Sequence, residues 1–242
     1  MIDSLMSRPL PEIPADIEKS ITCGSVTFTD FDKKNSILTD SSLSCETGYA
    51  KDEKGNFLVS MVCPMPGITK EMIEWWFWWH PQHSKRYKVW FPGEHFAVSF
   101  SKKDKEYFSQ KNFTTFKENT QFPFEKIGKI IMPLRIDFIS PESFGFSDKA
   151  IKSSGTEVIV CGHVSALWGL VPHTEMAHIF KKTDDALVLI SRFWLGKNLK
   201  NPILRKAILT KGTAEGMARH CCIEYRSLAE ILPALYEKYA LR

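Results

Sequence analysis

The chain has 242 residues, 43% of them hydrophobic, with 32 lysines and arginines against 28 aspartates and glutamates. This is ordinary globular usage, long enough to bury a full core, and it excludes disorder, collagen and coiled coil for the chain as a whole. A net charge of +4, with the densest basic cluster (Lys102, Lys103, Lys105) interrupted by acids, is too mild for a nucleic-acid surface, so no nucleic-acid partner is expected.

No run approaches the ~18 apolar residues that span a bilayer. Met1 to Pro14 carries acids and three prolines and lacks the basic and apolar regions of an export signal. No membrane partner is expected, and the chain is placed in the cytoplasm. The sequon Asn112-Phe113-Thr114 is set aside for the same reason. Cysteines 23, 45, 63, 161, 221 and 222 form no CxxC pair and read as reduced, mostly buried thiols.

In chain order, residues 1–50 read as a small extension packed on a main body of residues 51–242. Within it, Ser25 to Thr29 has the pattern of a short strand. Phe57 to Cys63 is a buried strand stopped by Pro64, Pro66 and Gly67. Thr69 then caps a helix that runs through Trp79 and ends at Pro81. That helix carries Trp75, Trp76, Phe77, Trp78 and Trp79, read as core packing for the most part, with an aromatic wall for a flat ligand as the alternative.

Tyr87 to Phe100 reads as a strand pair broken at Pro92-Gly93. Ser101 to Gln121 reads as a long polar loop with the character of a lid. Phe122 to Ile139 is a second strand pair turning at Gly128, and Pro141 to Gly155 is loop. Three further strands follow, Glu157 to Leu167, Thr174 to Lys181 and Ala186 to Trp194, the last two joined by a hairpin at Asp184-Asp185. Residues 213 to 240 give the strongest helical period, with Thr213 as cap and Pro233 expected to kink or split it. The fold class expected is α+β: an antiparallel sheet with a long C-terminal helix against it.

Among seven histidines, the most informative stands in His220-Cys221-Cys222-Ile223-Glu224. A spacing of four puts His220 and Glu224 one turn apart on one helix face, a half-site for a metal such as zinc. Met217 and Leu228 share that face, so it points inward, where a carboxylate needs a partner or a cation. His95 after Pro92-Gly93-Glu94, and Glu125 in an apolar strand, are further candidates. On residue chemistry alone the bland alternatives stand: a surface pair or core hydrogen bond for His220 and Glu224, a satisfied core histidine for His95, an outward carboxylate for Glu125. No GxSxG, GxxxxGK[ST], GxGxxG or HExxH motif is present. A thiol nucleophile at Cys221-Cys222 ranks lower, because adjacent helix residues point apart.

Two long stretches carry a resemblance: Glu74-Trp75-Trp76-Phe77-Trp78-Trp79-His80-Pro81, and Arg86 through Pro92-Gly93-Glu94-His95. With Ser191-Arg192-Phe193-Trp194-Leu195-Gly196 and His220 through Pro233, the chain resembles the 2,4-diacetylphloroglucinol hydrolase and phloretin hydrolase family over residues 55 to 240. The resemblance implies a helix-grip fold of the Bet v 1 and START kind, a curved antiparallel sheet around the long C-terminal helix. It implies a zinc ion held by His95, Glu125, His220 and Glu224. It implies ring-hydroxyl contacts from Tyr87 and His178, with Trp168 as a further substrate-binding residue, and catalytic roles for His163, Tyr87 and His178. An asparagine of the family pattern is replaced by Val98, which leaves the exact substrate open.

The activity implied is hydrolysis of the carbon–carbon bond between a phloroglucinol ring and an acyl group. The ring first tautomerises to its keto form, so that the leaving group is an enolate, and zinc assists the attack of water on the acyl carbonyl. Phloretin is the preferred substrate, with mono- or 2,4-diacetylphloroglucinol or another aryl ketone as alternatives. A non-enzymatic helix-grip carrier of a hydrophobic ligand is the reading from a different class. The partner expected is a small aromatic ketone, with a homodimer left open.

Overall fold

In the computed structural model, which describes every residue except Ser25, Asp184, Asp185 and Arg242, the apolar runs between Gly48 and Leu195 join into one antiparallel sheet. Among the described residues its strands are β1 (Gly48–Lys51), β2 (Phe57–Met65), β3 (His95–Phe100), β4 (Asn119–Ile127), β5 (Ile130–Ile139), β6 (Thr156–Ala166), β7 (Val171–Lys182) and β8 (Leu187–Leu195). Their order is β1-β2-β8-β7-β6-β5-β4-β3. From β2 the chain crosses to the far edge through two helices, α2 (Lys70–Trp79) and α3 (Ser84–Lys88). An earlier helix, α1 (Ala15–Cys23), packs on β1. After β8 come α4 (Pro202–Ile208) and α5 (Lys211–Tyr239).

The 29-residue α5 packs along β2 and also reaches β4, so the sheet curls around it. Both sheet faces are buried, which is why β2 and β8 read as nearly continuous apolar runs rather than as alternation. On the concave side Val59, Met61, Val160, Phe180 and Leu189 meet Leu228, Leu232 and Leu235 of α5. On the convex side Leu58, Ile159, Ile179 and Ile190 meet Ile37, Leu38 and Phe144 from short helical segments and Phe146 from the link that follows. Each such side chain contributes about 1.5–3 kcal/mol by leaving water.

Several expectations change. The strand of residues 57–63 runs on to Met65, through Pro64. β1 pairs with β2 only over Phe57 to Ser60, so Pro64 lies where β2 has an open edge and its missing N–H costs no ladder bond. The first half of the expected strand pair 87–100 is helical: α3 spans Ser84–Lys88, with the His83 imidazole accepting from Lys85 N at 3.1 Å, and only His95–Phe100 is strand. The loop 101–121 contains a helical turn, Lys105–Phe108, that buries Tyr107 and Phe108, and β4 starts within it. Residues 141–155 hold two short helices, Pro141–Phe144 and Asp148–Ser153, covering the convex face. Val26 to Thr29 forms no strand, and Ser25 and the hairpin residues Asp184 and Asp185 lie outside the described residues.

α5 begins two residues earlier than expected. Thr210 is its cap and Thr213 closes a reciprocal capping box, while Pro233 sits inside an unbroken helix. The turn between β4 and β5 rests on α5 backbone to backbone. A Cβ built on Gly128, which has φ +60°, would meet Gly216 Cα at 3.2 Å, and one on Gly216 would meet Gly128 Cα at 3.0 Å. No described helix is long and apolar enough to cross a membrane.

Candidate functional site

Three elements bring four chemistry-bearing side chains together. The β3–β4 register sets His95 opposite Glu125, and α5 presents His220 and Glu224 one turn apart toward that edge. His95 Nε2 lies 3.4 Å from Glu224 Oε1 and 3.6 Å from Glu125 Oε2. Single ligand atoms of His95, His220 and Glu224 all fall within 4.8 Å of one another.

Protein hydrogen bonds do not satisfy this cluster. His95 Nε2 and His220 Nδ1 are buried without partners. Burial pushes His95 well below the usual imidazole value and His220 to about 4, so both rings are neutral. It pushes Glu125 up to about 7, against the Tyr87 hydrogen bond, and Glu224 well above the carboxylate range, with Glu125 adding repulsion. Two unprotonated nitrogens facing two desolvated carboxylates fit a divalent cation, which would partner the nitrogens and hold the carboxylates ionised.

The surroundings orient these groups. The His95 Nδ1–H donates to Tyr87 O at 3.2 Å, which aims Nε2 at the cluster. The Tyr87 ring stacks on His95 at 3.9 Å and 4°, and its hydroxyl donates to Glu125 Oε2. Trp90 Nε1 donates to Glu224 O at 2.9 Å.

The cluster floors a cavity of about 440 Å³ between the concave sheet and α5. Near the floor the lining is polar or aromatic: His80, Tyr87, Trp90, Gln121, His178 and Tyr225. Toward the mouth it is apolar: Ile127, Ile130, Ile131, Leu204, Ile208 and Met217. His80 Nδ1–H donates to Trp76 O at 2.8 Å, and His178 Nδ1 lies 2.8 Å from Ser191 Oγ. Burial drives both imidazoles down to about 3. This division suits an aromatic ligand with polar substituents at one end and a hydrophobic tail at the other.

Tyr87 and His178 thus line the cavity with Glu125, His220 and Glu224, against whose carboxylates His95 is set, whereas His163 and Trp168 do not. Along β6 the cavity side takes Val164 and Ala166. His163 falls on the opposite, convex side, where its Nδ1 pairs with Glu175 Oε2 at 2.7 Å. Strand alternation leaves it no route to the floor. Trp168 follows β6 in a turn and is 66% exposed, outside the lining. Its neighbour Leu167, also at positive φ, forms the rim. Of the aromatic run in α2 only Phe77 reaches the cavity, and the tryptophans are core, with Trp75 stacked on Trp79. Buried Cys221 has its thiol pushed well up, which removes it as a nucleophile. His80, Gln121 and Tyr225 were not singled out from the sequence. Tyr225 carried the one available signal, following Glu224 on an inward-facing helix.

Comparison with known proteins gives the family. Residues 28–237 match the family model described as the DAPG hydrolase PhiG domain. The 2,4-diacetylphloroglucinol hydrolase of Pseudomonas protegens is 31% identical, over 96% of this chain and 79% of its own. The phloretin hydrolase of Eubacterium ramulus is 28% identical, over 85% of this chain and 77% of its own. A solved structure, protein Ms6760 from Mycobacterium smegmatis, covers 77% of this chain and 96% of its own at 12% identity and a TM-score of 0.41, too distant to argue from. The chain belongs to the DAPG hydrolase PhiG domain family and is a hydrolase that acts on carbon–carbon bonds.

Proposed function

We propose that this protein is a zinc-dependent hydrolase that cleaves the bond between a phloroglucinol ring and its acyl group, with phloretin as preferred substrate and phloroglucinol and phloretic acid as products. The observation that carries this reading is the convergence of His95, His220 and Glu224, two of their nitrogens unpartnered, with Glu125 beside His95, at the floor of a largely apolar cavity. These four residues would hold the ion, which when bound supplies Lewis acidity to polarise the acyl carbonyl. The long apolar mouth supports a substrate whose acyl group carries a second ring, rather than an acetyl group alone.

The chain's own residues supply binding and proton transfer. Trp90 and Phe77 flank the ring, Tyr87 holds Glu125 in place, and His178 binds a ring hydroxyl and favours the keto tautomer. A proton first moves from a ring hydroxyl to the acyl-bearing ring carbon, giving the keto tautomer; water then adds to the acyl carbon, the carbon–carbon bond breaks, and its electron pair passes to the ring as an enolate whose oxygen takes back a proton. His178 Nε2, neutral and inside the cavity, is the group assigned to that proton movement in place of His163. The same reading treats the curled sheet and α5 as a helix-grip domain of residues 51–242 with an extension of residues 1–50, acting in the cytoplasm.

Metal analysis and turnover on one purified sample test this. About one zinc per chain, with chelator-sensitive release of phloroglucinol from phloretin faster than from mono- or diacetylphloroglucinol, is expected. Zinc without release from any of these would shift the substrate to another aryl ketone. Neither zinc nor release would favour a ligand carrier. Glu224→Ala is expected to lose both zinc and turnover, and its keeping both would sink the site assignment.

A further inference from the structure

Three buried side-chain atoms near the cavity floor lack a hydrogen-bond partner: His95 Nε2, His220 Nδ1 and the hydroxyl of Tyr225. A cation accounts for the two nitrogens. It does not account for the third, because such an ion takes imidazole nitrogens and carboxylates, whereas a neutral phenol has a proton to donate.

Tyr225 is fully buried on α5 and forms part of the cavity wall, its ring 4.9 Å from that of His178 and 5.6 Å from that of Trp90. Phenylalanine would fill the same space without stranding an O–H in a dry site, so packing does not explain the hydroxyl. The neighbouring polar groups are committed. The Tyr87 hydroxyl donates to Glu125, and Ser191 Oγ pairs with His178. The partner for Tyr225 must therefore come from whatever occupies the cavity. The commitment of Tyr87 also leaves Tyr225 as the phenol of this lining, among the described residues, whose O–H is free to donate.

Resting on the function proposed above, we propose that the Tyr225 hydroxyl donates to an oxygen on the substrate's polar ring, distinct from any oxygen near Tyr87. It thereby selects rings that are hydroxylated beside the acyl-bearing carbon. Tyr87, its hydroxyl held by Glu125, and Tyr225 enter from different elements, α3 and α5, which leaves the ring contact to Tyr225.

The test compares wild type with Tyr225→Phe on two substrates, phloretin and its analogue lacking one hydroxyl beside the acyl carbon, with zinc content and melting temperature followed in parallel. Wild type is expected to favour phloretin in kcat/KM by roughly 10- to 100-fold. In Tyr225→Phe that preference is expected to collapse to within about threefold, through loss on phloretin rather than gain on the analogue. Zinc content and melting temperature are expected to hold, since the hydroxyl removed has no protein partner. Unchanged preference in the variant would overturn the proposal, as would a fall in melting temperature, which would make the hydroxyl structural. Failure of wild type to turn over any acylphloroglucinol would be a different result, striking at the proposed reaction itself. To keep that case separate, affinity for phloroglucinol is measured by calorimetry, where wild type should bind at least about tenfold tighter than Tyr225→Phe.

Discussion

His95 can serve a cation only if its two nitrogens are told apart, and the Tyr87 backbone does this by accepting from Nδ1. The Tyr87 side chain adds two constraints, stacking on the ring and holding Glu125. Tyr87→Phe keeps the stack and frees the carboxylate. Turnover should fall about 10- to 100-fold with bound metal retained, and metal analysis beside kcat checks it. His80 and His178 make a second prediction. Both are pressed to about 3 from an ordinary 6.5 by burial, so below pH 6.5 the unfolded chain binds more protons than the folded one. The stability from keeping them neutral is full above pH 6.5 and is lost as pH falls toward 3, by roughly 1.4 kcal/mol per pH unit for each ring. His178→Asn should flatten the fall in melting temperature between pH 6.5 and 4.5, and an unchanged slope would count against it. Much of the residue-level site was legible, because i, i+4 spacing and long motifs locate His95, His220 and Glu224. His163 was misplaced because strand parity is invisible without the pairing register: one residue's shift along β6 exchanges cavity for convex face. Tyr225 escaped because an unpartnered hydroxyl exists only in three dimensions.

Among the elements, α5 carries the most, since it holds two of the four candidate ligands and Tyr225. Its first turn lies beside the mouth, fastened by the Thr210–Thr213 box. Thr210→Ala should cost about 1 kcal/mol and lower the melting temperature by about 2–4 °C, with little change in kcat, because His220 lies more than two turns inside the helix. α2, α5, the β4–β5 hairpin and the three strands β6 to β8 were readable from caps, periodicity and turn residues. α3 was not: five residues give no helical period, and its tyrosine and the following Val-Trp-Phe favour strand by propensity. The short helices over the convex face escaped for a similar reason. Their polar sequences read as loop, and one buried residue in each, Phe144 and Ala150, anchors them.

For the whole molecule, the candidate ligands join the β3–β4 edge to α5, which otherwise lies chiefly along β2 at the other side of the sheet. A bound ion would close the curl on its open side. Chelation should therefore lower the melting temperature of the full chain, with a stabilisation of about 2.7 kcal/mol when free metal stands at 100 times Kd. Calorimetry with and without chelator reads it, and Glu224→Ala should show no such difference.

The Gly128–Gly216 contact has a consequence for water supply. A hydrolase consumes one water per turnover, and a long tail seated in the apolar mouth would cork the main opening. A second hollow, bordered by Glu94, Lys129, Thr210 and Arg219, lies beyond the hairpin turn, and His220, Ile127, Ile130 and Thr213 belong to the walls of both. The bare backbones of Gly128 and Gly216 meet in the wall of this second hollow. One added methyl, as in Gly216→Ala, would push the turn off the helix by a few tenths of an ångström. Water drawn from the second hollow would reach His220 beside a seam whose closeness is set by the absence of two side chains.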